Sequence, residues 1–543
     1  MNYRYNFTYF ADGIKKSTAS AENNDFSVEF SDSNNIITLN LKPKKSIEFE
    51  KFEIIFDNTY NEDDRIFTNG YQSWTVSREY GISDSMDEFN PKCLGVEKAK
   101  FNPLGIWGAG DLLWHKYPEK PGIFYGYSYS YIRNSNEIRL FGSLSERVGY
   151  TVITHNTNSN TITIAKDLEG KVFTDDVTVL ELAEIKDGYE KAFDRYFELM
   201  NIAKPRVERS CGYTTWYNYY TNVTEDIVIN DLKAISKLDK KIDIFQIDDG
   251  YERTVGDWLT PDKKKFPNGM KYTAEKIHSK NMLAGLWLAP FAVTPKSYIF
   301  KNHKDWLVHD KKGKTHYASH NWGGFYALDI YNSEVREHLK RVFRVVLEDW
   351  GYDMVKLDFL YACCQLPIHN KTRGEIMCEA MDFLRECCGD KIILGCGVPL
   401  ASAFGKVDFC RIGADVGLGW KNKAYSREDV STQFTLTNSI NRRHLDGRAW
   451  LNDPDVFLLR DNNINMTMEQ RKIVAKVNSL CGNLLFVSDD VSTYTEEQKE
   501  IFMQTVSSNK AKIISAEVRS GIAKIVTDEE TYCFDMLNGK IIK

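Results

Sequence analysis

The sequence predicts a multidomain chain: an N-terminal antiparallel β-sandwich, a central (β/α)8 TIM barrel and a small C-terminal β-domain. Three observations carry this expectation. Up to about residue 180, short runs of alternating or aromatic and β-branched residues are separated by Asn, Asp, Gly and Ser clusters, which is strand-and-turn texture. From Cys211 onward short apolar strands alternate with amphipathic helical stretches. Eight such units over roughly 280 residues fit a barrel, with a doubly wound sheet as the competitor. After about residue 508 the runs are short and β-like again. At 543 residues the chain is also too long for one compact core.

Taken in order, SIEFEKFEIIF (46–56), GIFYGYSYSYI (122–132) and NTITI (160–164) read as strands of the sandwich. GYEKAFDRYFELMNIAK (188–204) reads as a helix that Pro205 stops, because proline cannot continue it. The expected partition is therefore 1–187 sandwich, 188–207 helical linker, 208–507 barrel and 508–543 C-terminal β-domain. The barrel strands are read in CGYTTWY (211–217), IDIFQIDD (242–249), NMLAGLWLAP (281–290), DMVKLDF (353–359), KIILGCG (391–397), VDFCRIGAD (407–415), RAWLNDP (448–454) and NLLFVSDD (483–490). Helix candidates between them include SEVREHLKRVFRVVLEDW (333–350) and EEQKEIFMQTV (496–506).

The net charge is −6, without a long basic tract, so neither nucleic acid nor an anionic membrane is a favoured partner. MNYRYNFTYFADGIKK has no apolar stretch behind basic residues, so a signal peptide is not expected. No run approaches the ~20 apolar residues of a membrane helix. The 11 cysteines show no CxxC or Cys/His zinc spacing; reduced thiols and a cytoplasmic location are the expectation. Aromatic content of 13% fits large cores or stacking platforms for sugar rings.

In a barrel, side chains at the C-terminal ends of the strands line the active site. The second strand delivers Asp248 and Asp249, the third Trp287, the fourth Lys356 and Asp358. The fifth gives Cys396, the sixth Arg411 and Asp415, the seventh Asn452 and Asp453. Lys356 and Asp358 stand two positions apart, so strand alternation points both to one face. Each has a plain structural alternative: Asp248-Asp249-Gly250 as a turn, Lys356 with Asp358 as an ion pair, Asp415 as loop solvation. Jointly they are harder to dismiss, since burying several charges costs several kcal/mol each. Glycine-rich GCG (395–397) lacks the third glycine of a dinucleotide fingerprint, and no GxSxG or P-loop is present. Two barrel carboxylates, sugar-binding charges and tryptophans without a cofactor or metal suit glycoside hydrolysis.

NGYQSW (69–74), QIDDGYE (246–252), GDWL (256–259), GLWLAPF (285–291), KLDFLYA (356–362), ILGCGVPL (393–400) and RIGAD (411–415) closely resemble glycoside hydrolase family 36, the retaining α-galactosidases and relatives. The motifs stand in the family's order, and the family's sandwich, barrel and small β-domain agree with the partition above. The resemblance implies that Asp358 is the nucleophile and Asp415 the general acid/base. It implies that Asp248 and Asp249 bind the hydroxyls at C4 and C6, that Lys356 and Arg411 contact hydroxyls nearer the reacting carbon, and that Cys396 lies on the C2 side. Trp287 would shape the floor, and Trp74 would reach in from the sandwich to close the pocket.

Lys356 is expected to favour the ionised form of Asp358. Asp415 is expected to arrive protonated, its proton held by burial or by the charge of Asp358. Subsite character is expected in VGLGWKNKAYSRED after Asp415. The leading expectation is a retaining exo-α-galactosidase acting on terminal α-galactose of small oligosaccharides. An α-N-acetylgalactosaminidase, an α-galactosyl transferase of the same mechanism, a non-catalytic sugar-binding protein and a metal enzyme using Asp248, Asp249 and Asp358 are the competitors. A homo-oligomer is left open.

Overall fold

The computed structural model describes residues 2–86, 114–116, 118, 120–239, 242–421, 431–507 and 509–542. Its N-terminal part is two antiparallel seven-stranded sheets sharing one apolar interior, in which Phe7 meets Phe26 at 5.5 Å and Phe52 at 4.8 Å. Strand Ile47–Asp57 buries Ile47 and Phe49, then Phe52, Ile54 and Phe56. The three-residue step breaks the period of two, and the ladder to Tyr3–Ala11 shifts register there, between Thr8 and Tyr9. That β-bulge returns the apolar set to the core face. GIFYGYSYSYI, read as one run, is two strands in different sheets, Ile123–Tyr127 and Tyr129–Asn134. Ser128, at φ +68°, turns the chain between them. Both segments are buried almost throughout, so no change of hydrophobic pattern marked the break.

The barrel strands are Ser210–Thr214, Ile244–Ile247, Leu283–Leu288, Met354–Leu357, Ile392–Gly395, Phe409–Arg411, Leu451–Asp453 with Val456–Phe457, and Leu484–Val487, here strands 1 to 8. All pair in parallel, strand to next strand, and strand 8 pairs with strand 1. Strand 7 is split: Leu451–Asp453 pairs with strand 6 and Val456–Phe457 with strand 8. Pro454 lacks an N–H for the ladder, and Asp455 sits at φ +74°. The ring therefore closes through the chain at this break.

Helices Glu225–Ile235, Gly269–His278, Ser333–Arg344, Arg373–Cys388, Thr432–Asn441, Met468–Cys481 and Glu496–Thr505 follow strands 1, 2, 3, 4, 6, 7 and 8. The expectation of eight full β/α units is corrected at strand 5, which leads only into the 3-10 turn Leu400–Ala403. Residues 398–400 are held by the sandwich instead: Ser73 N donates to Val398 O at 3.2 Å and Leu400 N to Tyr71 O at 3.2 Å. Helix Tyr189–Leu199 sets Phe197 against Phe404 beside this turn, at 5.2 Å. That helix ends earlier than the sequence suggested, with Asn201 at φ +51°, a left-handed stop that comes before Pro205.

A small antiparallel sheet, Ala292–Val293, Tyr317–Ser319 and Phe325–Ala327, is inserted after strand 3. The C-terminal sheet has four antiparallel strands, Ile513–Arg519, Ile522–Thr527, Thr531–Asp535 and Lys540–Ile542. One apolar core runs continuously through the inner sandwich sheet, the barrel and the C-terminal sheet, and a second lies inside the sandwich.

Candidate active site

Strand 4 carries Lys356 and, just beyond its end, Asp358. Both are buried, as are Asp248 and Asp249 after strand 2. Lys356 Nζ donates to Asp248 Oδ2 at 2.9 Å, and Gln246 Nε2 donates to the same oxygen at 2.6 Å. The ion pair of Lys356 is thus with Asp248, which corrects the pairing with Asp358 considered from sequence. Burial is the largest single influence and pulls the Lys356 ammonium down, but Asp248, Asp358 and Cys396 together outweigh it and the net shift is upward.

Asp358 Oδ2 accepts from Trp287 Nε1 at 3.1 Å and Oδ1 from the Phe359 N–H at 2.8 Å. Phe359 adopts φ +53° to present that N–H, a conformation rare for a bulky residue. Burial raises the Asp358 carboxyl above the usual range; Lys356 and the indole of Trp287 oppose it without cancelling it, and Asp415 adds to the rise. The expected influence of Lys356 exists but loses to desolvation. Cys396 follows strand 5, buried, with its thiol pushed well up by burial and then by the Asp358 charge.

Asp249 Oδ2 accepts from Trp322 Nε1 at 2.8 Å. Burial raises its carboxyl against hydrogen bonds from Glu252 and Trp322, and Glu252 is itself raised well above its ordinary value, by burial and then by Asp249. The two aspartates therefore face different partners although adjacent in sequence. Trp322 comes from the sheet inserted after strand 3 and closes an aromatic line: Trp287 at 5.9 Å, Phe359 at 4.6 Å, and from Phe359 to Trp74 at 5.0 Å.

Arg411, the last residue of strand 6, spreads its guanidinium over three carboxylates: Nε to Asp453 at 3.0 Å, Nη1 to Asp415 at 3.0 Å and Nη2 to Asp455 at 2.8 Å. Planar fork geometry makes arginine suited to such a hub. Asp455 also accepts from the Val416 N–H at 2.7 Å and from the Tyr217 hydroxyl. Burial lifts its carboxyl to about 6 against the pull of Arg411. The expectation that burial surrounds Asp415 is corrected: its side chain is 39% exposed, because it hangs from a loop past the strand end. Arg411 is committed to these carboxylates, so its expected hydroxyl contacts would have to share the same guanidinium.

Trp74 enters from the sandwich and packs edge-on against Phe359 and Tyr361, at 5.0 and 5.8 Å. Gly397 makes this approach feasible; at φ +53°, a Cβ there would stand 2.9 Å from both Trp74 Cζ2 and Phe359 N.

The nine residues to which the resemblance gives roles fall around the C-terminal ends of strands 2 to 6 or against them, and Asn452 and Asp453 lie buried on strand 7. Asp248, Lys356, Trp287, Asp358 and Cys396 form one buried group, and Arg411 with Asp415 stands beside it. Sequence reasoning missed Trp322, Glu252, Tyr217 and Asp455. Glu252 and Tyr217 stood inside quoted motifs, QIDDGYE and CGYTTWY, and Asp455 lay one residue past a proline. Of VGLGWKNKAYSRED, residues 422–429 lie outside the described residues. Asp248, Asp249 and Asp358 turn to different donors. No group of three or more His, Cys, Asp or Glu among the described residues is arranged to hold a metal ion.

A sandwich docked on a closed parallel barrel sets buried carboxylates and tryptophans at the strand ends. Residues 197–377 match the family model described as Melibiase, which bears out the resemblance to glycoside hydrolase family 36. The chain is 31% identical over 152 residues to α-galactosidase Mel36A of Lactobacillus acidophilus, covering 26% of this chain and 20% of that one. It is 24% identical over 236 residues to an α-galactosidase of Escherichia coli, covering 41% of this chain and 32% of that one. The chain thus matches about a fifth to a third of those relatives' lengths. Its fold is that of TtGalA, an α-galactosidase from Thermus thermophilus solved with p-nitrophenyl α-D-galactopyranoside: TM-score 0.71 at 23% identity, covering 93% of this chain and 98% of that one.

Proposed function

We propose that this chain is a retaining exo-α-galactosidase that removes terminal α-linked galactose from small oligosaccharides by double displacement. The observation that carries the reading is Asp358, a buried carboxylate fixed by Trp287 and the Phe359 N–H beside the Lys356–Asp248 pair, with Asp415 on the Arg411 hub nearby. Melibiase-class relatives named α-galactosidases support it.

In this reading the Asp358 carboxylate attacks the anomeric carbon while the Asp415 carboxyl gives its proton to the departing glycosidic oxygen. Asp415, now a carboxylate, then takes a proton from water, whose oxygen displaces Asp358 and releases galactose with its configuration retained. Arg411 aims Asp415 from below, and the exposure of Asp415 leaves room for both leaving group and water. Lys356, Asp248 and Asp249 accept and donate to the sugar hydroxyls, Cys396 borders the C2 side, and Trp287 and Trp74 cover the ring's apolar faces. The partition at 187, 207 and 507 belongs to the same reading, as does a cytoplasmic location, which the ten free cysteines described support. No helix among the described residues is long and apolar enough to cross a membrane.

Side-by-side release from nitrophenyl α-galactoside, β-galactoside, α-glucoside and α-N-acetylgalactosaminide tests the reading, with product anomers followed by NMR. A site built for an axial C4 hydroxyl leaves a buried carboxylate unpaired when that hydroxyl is equatorial. A preference of about 10²-fold for α-galactoside over α-glucoside is therefore expected. Equal rates on the two, or inversion of configuration, would overturn it.

A further inference from the structure

Behind Trp287 lies a cavity of about 820 Å³, walled by loop 253–260, segment 296–303 and the outer face of helix Ser333–Arg344. Pockets of ~300–1,000 Å³ are of the size that holds small organic ligands. None of the candidate site residues lines it.

Its charge is one-sided. Arg253, Lys296, Lys301 and Arg341 face it with Asp257 as the lone carboxylate, and Asp257 already accepts from the Tyr298 N–H, at 3.0 and 2.9 Å. Lys301 Nζ donates to Lys296 O at 2.8 Å, while Arg253, Lys296 and Arg341 have no ion-pair partner among the described residues. Two of the lining residues also carry a buried polar atom that is left over. Trp258 is 1% exposed, and its Nε1 has no hydrogen-bond partner among the described residues; His338 Nε2 is in the same position. A buried donor without a partner is disfavoured unless something else meets it. At the rim, Tyr298 is 63% exposed, an aromatic face turned outward.

We propose that this cavity binds a small phosphorylated saccharide. Four cations against a single carboxylate match the double negative charge of a phosphate monoester, and a guanidinium reads its oxygens two at a time. The volume far exceeds a phosphate, and the sugar ring fills the remainder against Tyr298. Trp258 also packs against Trp287 at 5.7 Å, the residue whose indole holds Asp358, so an occupant sits one ring away from that carboxylate. The proposal does not depend on which glycoside the enzyme cleaves.

Calorimetric titration of the full chain with a hexose 6-phosphate, inorganic phosphate and the neutral hexose tests it. Saturable binding of the hexose phosphate is expected, at least about tenfold tighter than either of the others. The double variant Lys296→Ala/Arg341→Ala, both at exposed positions, should weaken it by about tenfold or more, while Asp358→Asn should leave it unchanged. Absence of saturable binding would overturn the proposal, as would equal binding of the neutral hexose or of inorganic phosphate, or undiminished binding by the double variant. Loss of binding in Asp358→Asn would place the ligand at the carboxylate centre instead and equally overturn it.

Discussion

Asp358 is oriented by good hydrogen bonds, yet its ionised form is disfavoured in the folded chain, since burial raises its carboxyl more than Lys356 and Trp287 lower it. A carboxyl raised on folding contributes stability that is fully present below its unfolded value and is lost as pH rises through its folded value. At neutral pH Asp358 therefore works against stability. Asp358→Asn should abolish turnover and raise stability by about 0.5–2 kcal/mol at pH 7, in the usual range for relieving a strained functional site. The gain should shrink on acidification toward the ordinary carboxylate range. Calorimetric melting at neutral and acid pH checks both parts, and a variant no more stable than wild type at neutral pH would count against the desolvation argument. Asp455 makes a second titration with a stated position, about 6. Below that pH it takes up a proton, the Arg411 hub loses one of its carboxylates, and Asp415 loosens. kcat/KM should therefore fall as pH drops through about 6, and Asp455→Asn should show the lower value without that limb. An acid limb unaltered by Asp455→Asn would assign it elsewhere. Lys356 and Asp358 were legible in the sequence because alternation along a strand forces them to one face. The partners were less so: Asp455 follows a proline that splits strand 7, and Trp322 arrives on an inserted sheet that no barrel periodicity anticipates.

Among the elements, the one that shapes the site without belonging to the barrel is the sandwich loop 69–77. Arg442, just past helix Thr432–Asn441, is fully buried and places all five of its N–H groups on neutral acceptors. These are Ser77 Oγ at 2.8 Å, Gln72 O at 3.1 Å, Thr75 O at 2.6 Å, Ser73 O at 2.5 Å and Ile412 O at 2.7 Å. Burial pushes its guanidinium down to about 10. One side chain thus ties the Trp74 loop to the residue after Arg411. Arg442→Lys would leave several buried carbonyls unmet, at about 1–3 kcal/mol each where water does not replace the donor. Its expected signature is a KM raised by about tenfold or more with a smaller change in kcat, since in the proposed reading Trp74 serves substrate binding and not the carboxylates. Gly397→Ala, which drives a Cβ into Trp74 from the other side, should reproduce that split. Steady-state kinetics decides; equal falls in kcat and kcat/KM with KM untouched would remove Trp74 from substrate binding. NGYQSW was recognisable as a motif, whereas Arg442 in INRRHL carried no pattern, because an anchor that serves carbonyls needs no fixed partner in sequence.

Across the whole molecule, the three-part plan was legible from changes of texture, but the continuity of the core was not, since it depends on which faces dock. The C-terminal sheet does more than cover a barrel edge. Trp420, five residues beyond Asp415, is buried, and its Nε1 donates to Met536 O at 2.7 Å. Gly539, at φ +66°, lies so close that a Cβ would stand 2.7 Å from Trp420 Cδ2. The same sheet joins helix Met468–Cys481 through Gln470 Nε2 to Asn538 O at 3.2 Å and Ile541 N to Glu469 Oε1 at 2.9 Å. It reaches the sandwich through Arg133 and Glu517, at 3.4 Å, a half-exposed pair that adds little by itself. The arm from Asp415 to Trp420 is therefore pinned at one end by Arg411 and at the other by the C-terminal sheet. A chain stopped after Ser507 should melt earlier and lose at least about tenfold in kcat/KM, mostly in kcat, because misplacing the proton donor weakens the chemical step more than binding. Trp420→Phe, which keeps an aromatic ring but removes the bond to Met536 and part of the buried indole volume, should cost at least about 1 kcal/mol of stability and a smaller share of kcat. The loss should be larger for a disaccharide than for an activated aryl galactoside, whose leaving group needs little protonation. If the shortened chain folds and cleaves both substrates with wild-type kcat, the C-terminal sheet does not position Asp415.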